Sequence, residues 1–261
     1  MRIALGLEFD GRAFCGWQSQ ADVPSVQDAL ETAIAAIAQT PVRVHAAGRT
    51  DTGVHASAQV VHFDTLAERP LSAWIRGVNQ HLPAAVAVLW AHPVSDDFHA
   101  RFSASGRHYR YLLLNRPSRP ALADGRVGWF ARPLDLDAMR SATTCLLGEH
   151  DFSSFRAAEC QAKSPIKTLY RLELAEHNGL IRLDVHASAF LHHMVRNLVG
   201  ALVEVGAGRQ PVEWMARLLA ARDRRLGAPT FAPGGLYLSG IDYDDHWGLP
   251  AFVQPDWESL L

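Results

Sequence analysis

The chain has 261 residues, a formal net charge of −2 and an apolar share of 48%. That share supports a sizeable core, the length suits one large or two modest domains, and no apolar run approaches the ~20 residues of a membrane-spanning helix. Cys15, Cys145 and Cys160 are scattered and odd in number, which argues against a disulfide framework or a zinc site and suits a reducing cytoplasm.

In chain order, Arg2–Asp10 alternates like a strand and has no signal-peptide hydrophobic block. After the loop Gly11–Pro24, Ser25 reads as an N-cap with Asp28 three residues on. Val26, Ala29, Leu30, Ala33, Ile34 and Ile37 then recur at helical spacing. Strands are expected at Val42–Ala46, Gln59–Asp64 and Val86–Pro93, with a helix over Ser72–Leu82 stopped by Pro83. The second half reads as a strand over Arg107–Asn115, a short strand over Val127–Phe130 and a helix over Asp135–Leu147. Thr168–Glu176 and Leu180–Ala187 form a hairpin, because Asn178-Gly179 is a strong two-residue turn signal. Helices over Phe190–Val205 and Pro211–Ala221 precede a last strand over Leu236–Tyr243.

Both halves therefore show the order βαββαβ, split near Ser103–Gly106 into residues 1–104 and 105–261. The expected fold is α+β: two ferredoxin-like halves forming one extended, mainly antiparallel sheet. Helices would cover one face, leaving an open face or a central cleft. A net charge of −2 does not by itself suggest a nucleic-acid partner, but its distribution matters more than its sum. From Asp242 onward there are five acids and no Lys or Arg, so the first 241 residues carry +3. Arg101–Arg132 holds seven arginines and one acid, Asp124. Guanidinium groups suit phosphate, although such a run is more often a solvated face.

Three stretches hold residue types that do chemistry. Ala47–Ala56 packs Arg49, Thr50, Asp51, Thr52 and two glycines between strand-like segments, as a loop presenting a carboxylate would. Arg49 and Asp51 are two apart, so both can face one side, where the guanidinium would keep the carboxylate ionised. The bland alternative is a polar hairpin with a surface ion pair. In Arg107–Leu112, Tyr109 and Tyr111 share one face and Arg110 takes the other. That is either a base-stacking platform or a strand with core tyrosines. In Phe190–Asn197, Arg196 lies among apolar helical positions and needs solvent or a partner, for which Asp51 is the choice. The adjacent His192 and His193 point about a hundred degrees apart on a helix and lack a His at i+4, so no metal is expected.

Gly48-Arg49-Thr50-Asp51-Thr52-Gly53-Val54-His55-Ala56 resembles the signature of the tRNA pseudouridine synthase A family. Phe98–Phe102 with Tyr109-Arg110-Tyr111, the run His193–Asn197, Gly16-Trp17-Gln18, Gly77-Val78-Asn79 and Gly235–Leu238 are similar to the family as well. Phe9 stands where a tyrosine is usual. The resemblance implies isomerisation of uridine to pseudouridine at positions 38, 39 and 40 of the tRNA anticodon stem-loop. It implies Asp51 as nucleophile, Tyr109 against the target uracil, and Arg196 as the basic residue paired with the aspartate. Arg49 would support Asp51 or hold phosphate. The attack at C1′, attack at C6 and removal of the 2′ proton all stay open. No cofactor or metal is implied; a homodimer in the cytoplasm, with tRNA as partner, is. A pepsin-like aspartic protease is excluded because Asp51-Thr52-Gly53 occurs once and such a chain needs two aspartates; a dimeric retroviral type would be far shorter and would have apolar residues before the aspartate, not Arg49-Thr50. The remaining rival is a non-catalytic RNA-binding or RNA-folding protein on the same scaffold.

Overall fold

In the computed structural model, residues 1–253 are described. The fold is α+β with mainly antiparallel sheet, and the chain divides into two compact units. One comprises Met1–Ser105 and the described residues from Tyr237; the other is Gly106–Leu236.

The first unit is built on β1 (Arg2–Phe9), flanked by the antiparallel strands β3 (His55–Asp64) and β4 (Val86–Val94). The helix α1 (Val26–Ala38) starts where Ser25 predicts: the Ser25 hydroxyl accepts the Asp28 N–H at 3.1 Å. Its apolar face buries Val26, Leu30, Ala33 and Ile34. The expected helix over Ser72–Leu82 is present as unbroken helical backbone, with a π-helical turn, Ala73–Gly77, running into a short α2, Val78–His81. Asn79 explains why this segment sits where it does. Its side chain brackets Val88 of β4, donating to the carbonyl at 2.9 Å and accepting the N–H at 2.8 Å.

The free edge of β3 is shared. β2 shrinks to His45–Ala46 and pairs with His62 and Val61. The final strand β10 (Leu236–Tyr243) was expected to close the second half. It runs parallel to β3, Tyr237 beside His55 and Leu238 beside Ala56, and from Tyr237 it clusters with the first unit. The reason is a vacancy in pairing, since β2 covers only one end of β3 and leaves the other to accept a strand.

The sheet face away from α1 is also not open. Phe98, Ala100, Trp90, Val60, Ala47 and Ala4 form a buried cluster there, against which Ile241, Tyr243, Trp247, Leu249 and Phe252 pack. The acidic C-terminal stretch thus carries an apolar stripe onto the sheet; Asp256 and Glu258 lie outside the described residues. His62 is buried on this face, and its Nδ1 accepts the Ala100 N–H at 3.1 Å. Burial, reinforced by His99, Arg2 and His45 nearby, pushes its pKa from 6.5 down to about 3. Between those values the unfolded chain binds the proton and the folded one does not, so stability is retained above pH 6.5 and lost as pH falls toward 3. Urea unfolding at pH 7.5 and 5.0 is expected to show ~2 kcal/mol more loss in the wild type than in His62→Gln. Equal losses would contradict the assignment.

The second unit's sheet runs β5 (Ala104–Asn115), β9 (Leu180–Ala187), β8 (Ile166–His177), β7 (Gly148–Asp151), with β6 (Gly128–Phe130) parallel on β5. Asn178 and Gly179 join β8 to β9 with φ of 50° and 79°, the positive pair that this hairpin turn requires. The edge strand β7 carries no apolar side chain, which hid it from pattern reading. Three helices pack here: α3 (Leu136–Thr143), α4 (Met194–Gly206) and α5 (Trp214–Ala221). Every residue of α4 except Arg196 and Glu204 is buried.

Candidate active site

The carboxylate loop is made by a handover of hydrogen bonds. Ala47 still donates to Val60 at 2.8 Å, as a ladder residue would. At Gly48 the backbone leaves the sheet, and the wholly buried Gln59 takes its place. The Gln59 amide donates to the Gly48 carbonyl at 2.7 Å, and its oxygen accepts the Val60 N–H at 3.2 Å. A buried amide with all its groups used fixes a chain more firmly than apolar contact does.

Beyond that clamp, Thr50 is buried and its carbonyl accepts the Trp17 N–H at 3.0 Å. The Asp51 carbonyl accepts the Val54 N–H at 3.1 Å, closing a tight turn with Gly53 at φ 76°. The Gly16-Trp17 segment behind it is itself bonded to the start of α1. Gly16 and Trp17 carbonyls accept the Val26 and Gln27 N–H groups at 3.3 and 3.1 Å. The buried Gln27 side chain accepts from Gln18 at 2.9 Å and from the Ser19 N–H at 3.1 Å. Helix, glycine loop and aspartate loop form one hydrogen-bonded assembly. Asp51, half-buried, sits at its end.

His55 closes the base of the loop. It is 3% exposed, its Nδ1 accepts the Gly11 N–H at 3.0 Å, and its ring stacks on Tyr237 at 4.7 Å. Asp10 approaches the same nitrogen at 3.3 Å. That contact is no ion pair, because the lone pair on Nδ1 is committed to Gly11. Asp10 is held by Arg12, with Nε at 2.9 Å from Oδ1. Burial alone would raise the Asp10 pKa, and the Arg12 hydrogen bonds reverse that, leaving it lowered.

Arg49 corrects one expectation. It is exposed and makes no ion pair with Asp51. Thr50 between them turns inward while Arg49 and Asp51 are both less buried, as alternation predicts, yet the guanidinium does not pair with the carboxylate.

Tyr109 lies on β5 opposite Val185 of β9, 9% exposed, with the Phe190 ring edge-on at 4.9 Å. Tyr111 shares that face, is wholly buried, and donates its hydroxyl to the Ala232 carbonyl at 2.8 Å. Of the two tyrosines, Tyr111 is the one whose hydroxyl is committed inside the core. Arg110 faces the other way and meets Asp184 at 2.6 Å, with Arg182 on the same carboxylate at 2.9 Å. Part of the arginine run therefore serves the sheet itself.

Arg196 stands in the first turn of α4. The helix does not begin at Phe190 as its apolar spacing suggests. Backbone groups of Leu191 and His192 are engaged with Met194 and Ala157, and His193 is left-handed at φ 61°. The Arg196 Nε–H donates to the Phe231 carbonyl at 2.8 Å, and Phe231 N–H donates back to the Arg196 carbonyl at 3.2 Å. Gln59, His55 and Phe231 escaped sequence reading. The signal for Gln59 and His55 was present: polar side chains at the start and in the middle of a strand that is buried up to its last residue.

A carboxylate on a braced loop and an aromatic strand beside arginines are the equipment of an enzyme acting on a nucleobase. The family model described as tRNA pseudouridine synthase matches residues 7–103 and 142–244, so the chain belongs to the tRNA pseudouridine synthase family. Within it, the chain is similar to proteins named tRNA pseudouridine synthase A. That of Dechloromonas aromatica is 62% identical over 250 residues, covering 96% of this chain and 95% of the relative. That of Chromobacterium violaceum is 61% identical over 252 residues, covering 96% of each. That of Neisseria meningitidis serogroup C is 59% identical over 257 residues, covering 98% of this chain and 97% of the relative. The protein is an isomerase of tRNA processing that makes pseudouridine. Among the described residues, no helix is long and apolar enough to cross a membrane.

Proposed function

We propose that the enzyme converts uridine to pseudouridine at positions 38, 39 and 40 of the tRNA anticodon stem-loop, with Asp51 as nucleophile. The observation that carries this reading is the assembly that Gln59, Gly16 and Trp17 build behind the Gly48–Val54 loop, which leaves Asp51 half-buried at its end. A rigid support for one carboxylate is what covalent or base catalysis at a sugar needs.

The reaction breaks the N1–C1′ bond, turns the uracil, and forms a C5–C1′ bond. C5 loses a proton and N1 gains one, so the atoms balance without an oxidant or reductant. Asp51 serves the electron-poor sugar or ring carbon during the detached stage. Tyr109 stacks on the flipped base. Extrusion of that base from a stem costs a few kcal/mol, which contacts from Arg49 and Arg196 to phosphate or base offset. The exposure of Arg49 supports a phosphate role over that of an Asp51 partner. The working form is a homodimer in the cytoplasm, with tRNA as its partner and no metal or cofactor.

Position mapping by carbodiimide treatment and reverse transcription tests the site. Unmodified tRNA incubated with the enzyme is expected to gain stops at positions 38–40 alone. Stops confined to another arm would contradict the proposed position while leaving the family untouched.

A further inference from the structure

Arg196 is aimed by the residue that follows it. Asn197 is 2% exposed and every polar group of its side chain is used. Its Nδ2 donates to the Phe155 carbonyl at 2.8 Å. Its Oδ1 accepts from the Thr230 hydroxyl at 2.7 Å and from the Arg224 Nη2 at 3.0 Å. Arg224 also donates to the Thr230 Oγ1 at 3.2 Å, which closes a three-membered ring of hydrogen bonds. Arg224 is half-buried, and that burial lowers its pKa. The segment fixed by the ring continues directly into Phe231, whose backbone brackets Arg196 on both sides. Helix packing does not require the bracket: Arg196 is one of only two residues of α4 that are not buried.

We propose that Asn197, Thr230 and Arg224 are positioning residues that hold the Phe231 carbonyl where it orients the Arg196 guanidinium for the reaction. The inference rests on the functional reading of Arg196 above. Thr230 is the member to test, because Thr230→Val keeps shape while removing the hydroxyl that ties the segment to α4. A guanidinium fixed at Nε presents its remaining N–H groups in one plane. Once the anchor drifts, that plane is lost, and misplacement on the order of 1 Å costs up to about 100-fold in rate.

The experiment is steady-state kinetics on unmodified tRNA for wild type, Thr230→Val, Thr230→Ser, Arg196→Lys and the Thr230→Val/Arg196→Lys double variant. Thr230→Val is expected to lower kcat ~10- to 100-fold with KM within about twofold, and Thr230→Ser to restore kcat. Lysine has no Nε–H to give Phe231, so Thr230→Val is expected to cost nothing further in the Arg196→Lys background. Thermal melts of each variant keep misfolding visible. Full kcat in Thr230→Val, or a penalty that adds fully to Arg196→Lys, would overturn the inference and leave the functional reading standing. A wild type that makes no pseudouridine would overturn both.

Discussion

Asp51→Ala is expected to bind tRNA as the wild type does and to form no pseudouridine. The two effects separate because the side chain is half-buried at the end of a loop that backbone bonds and the Gln59 side chain hold. The clamp from Gln59 to Gly48, the Trp17 bond to Thr50 and the Val54 bond to Asp51 all use other side chains or backbone. Losing the carboxylate therefore removes the reacting group without collapsing the loop. Removal of a nucleophile in other enzymes lowers kcat by ~10⁴-fold or more, and a fall of that order is the prediction. Filter binding and nucleoside analysis of digested tRNA would measure both quantities. Product above the no-enzyme background would exclude Asp51 as nucleophile, and loss of binding would show that the side chain serves the RNA instead.

Gly16→Ala is expected to cost both stability and turnover, although residue 16 lies far from Asp51 in sequence. Gly16 has φ 96°, a conformation that side chains disfavour by ~1–2 kcal/mol. A Cβ placed there would lie 2.8 Å from the Thr50 carbonyl oxygen and 3.2 Å from the Asp51 carbonyl carbon. Both are backbone atoms, so the methyl group cannot be accommodated by a rotamer change. The aspartate loop must move or the bond from Trp17 to Thr50 must break. A kcat loss up to about 100-fold with nearly unchanged tRNA affinity is the expected result, since displacement of a reacting group acts on the chemical step. Unchanged turnover with a lowered melting temperature would show that the loop is held by Gln59 alone.

How much of this was legible in the sequence depended on how local the cause was. The N-cap at Ser25, the Asn178-Gly179 turn and β9 (Leu180–Ala187) follow from neighbouring residues, and each appears where the pattern places it. The parallel pairing of β10 with β3 does not, because it depends on how little of β3's edge β2 occupies. The covered face of the first sheet was hidden for a similar reason. Tyr243, Trp247 and Phe252 sit in an acidic stretch with no helical or strand-like periodicity of its own beyond β10, yet they pack on Phe98 and Trp90. At the site, the motif singled out Asp51 and the alternation of Arg49, Thr50 and Asp51 is kept, but sharing a side did not make Arg49 the ion-pair partner of Asp51. The ring joins Asn197 to Arg224 and Thr230, each more than twenty positions on, and leaves no periodic trace.

The most direct test of the account is tritium release from tRNA labelled at uracil C5, because that hydrogen leaves only when C5 forms the new bond. Wild type is expected to release tritium from tRNA carrying uridine at positions 38–40, and to release none when those positions hold cytidine. Asp51→Ala is expected to release none from either. Equal release by Asp51→Ala and wild type, or none by wild type despite tight tRNA binding, would contradict the central claim that Asp51 drives isomerisation in the anticodon arm.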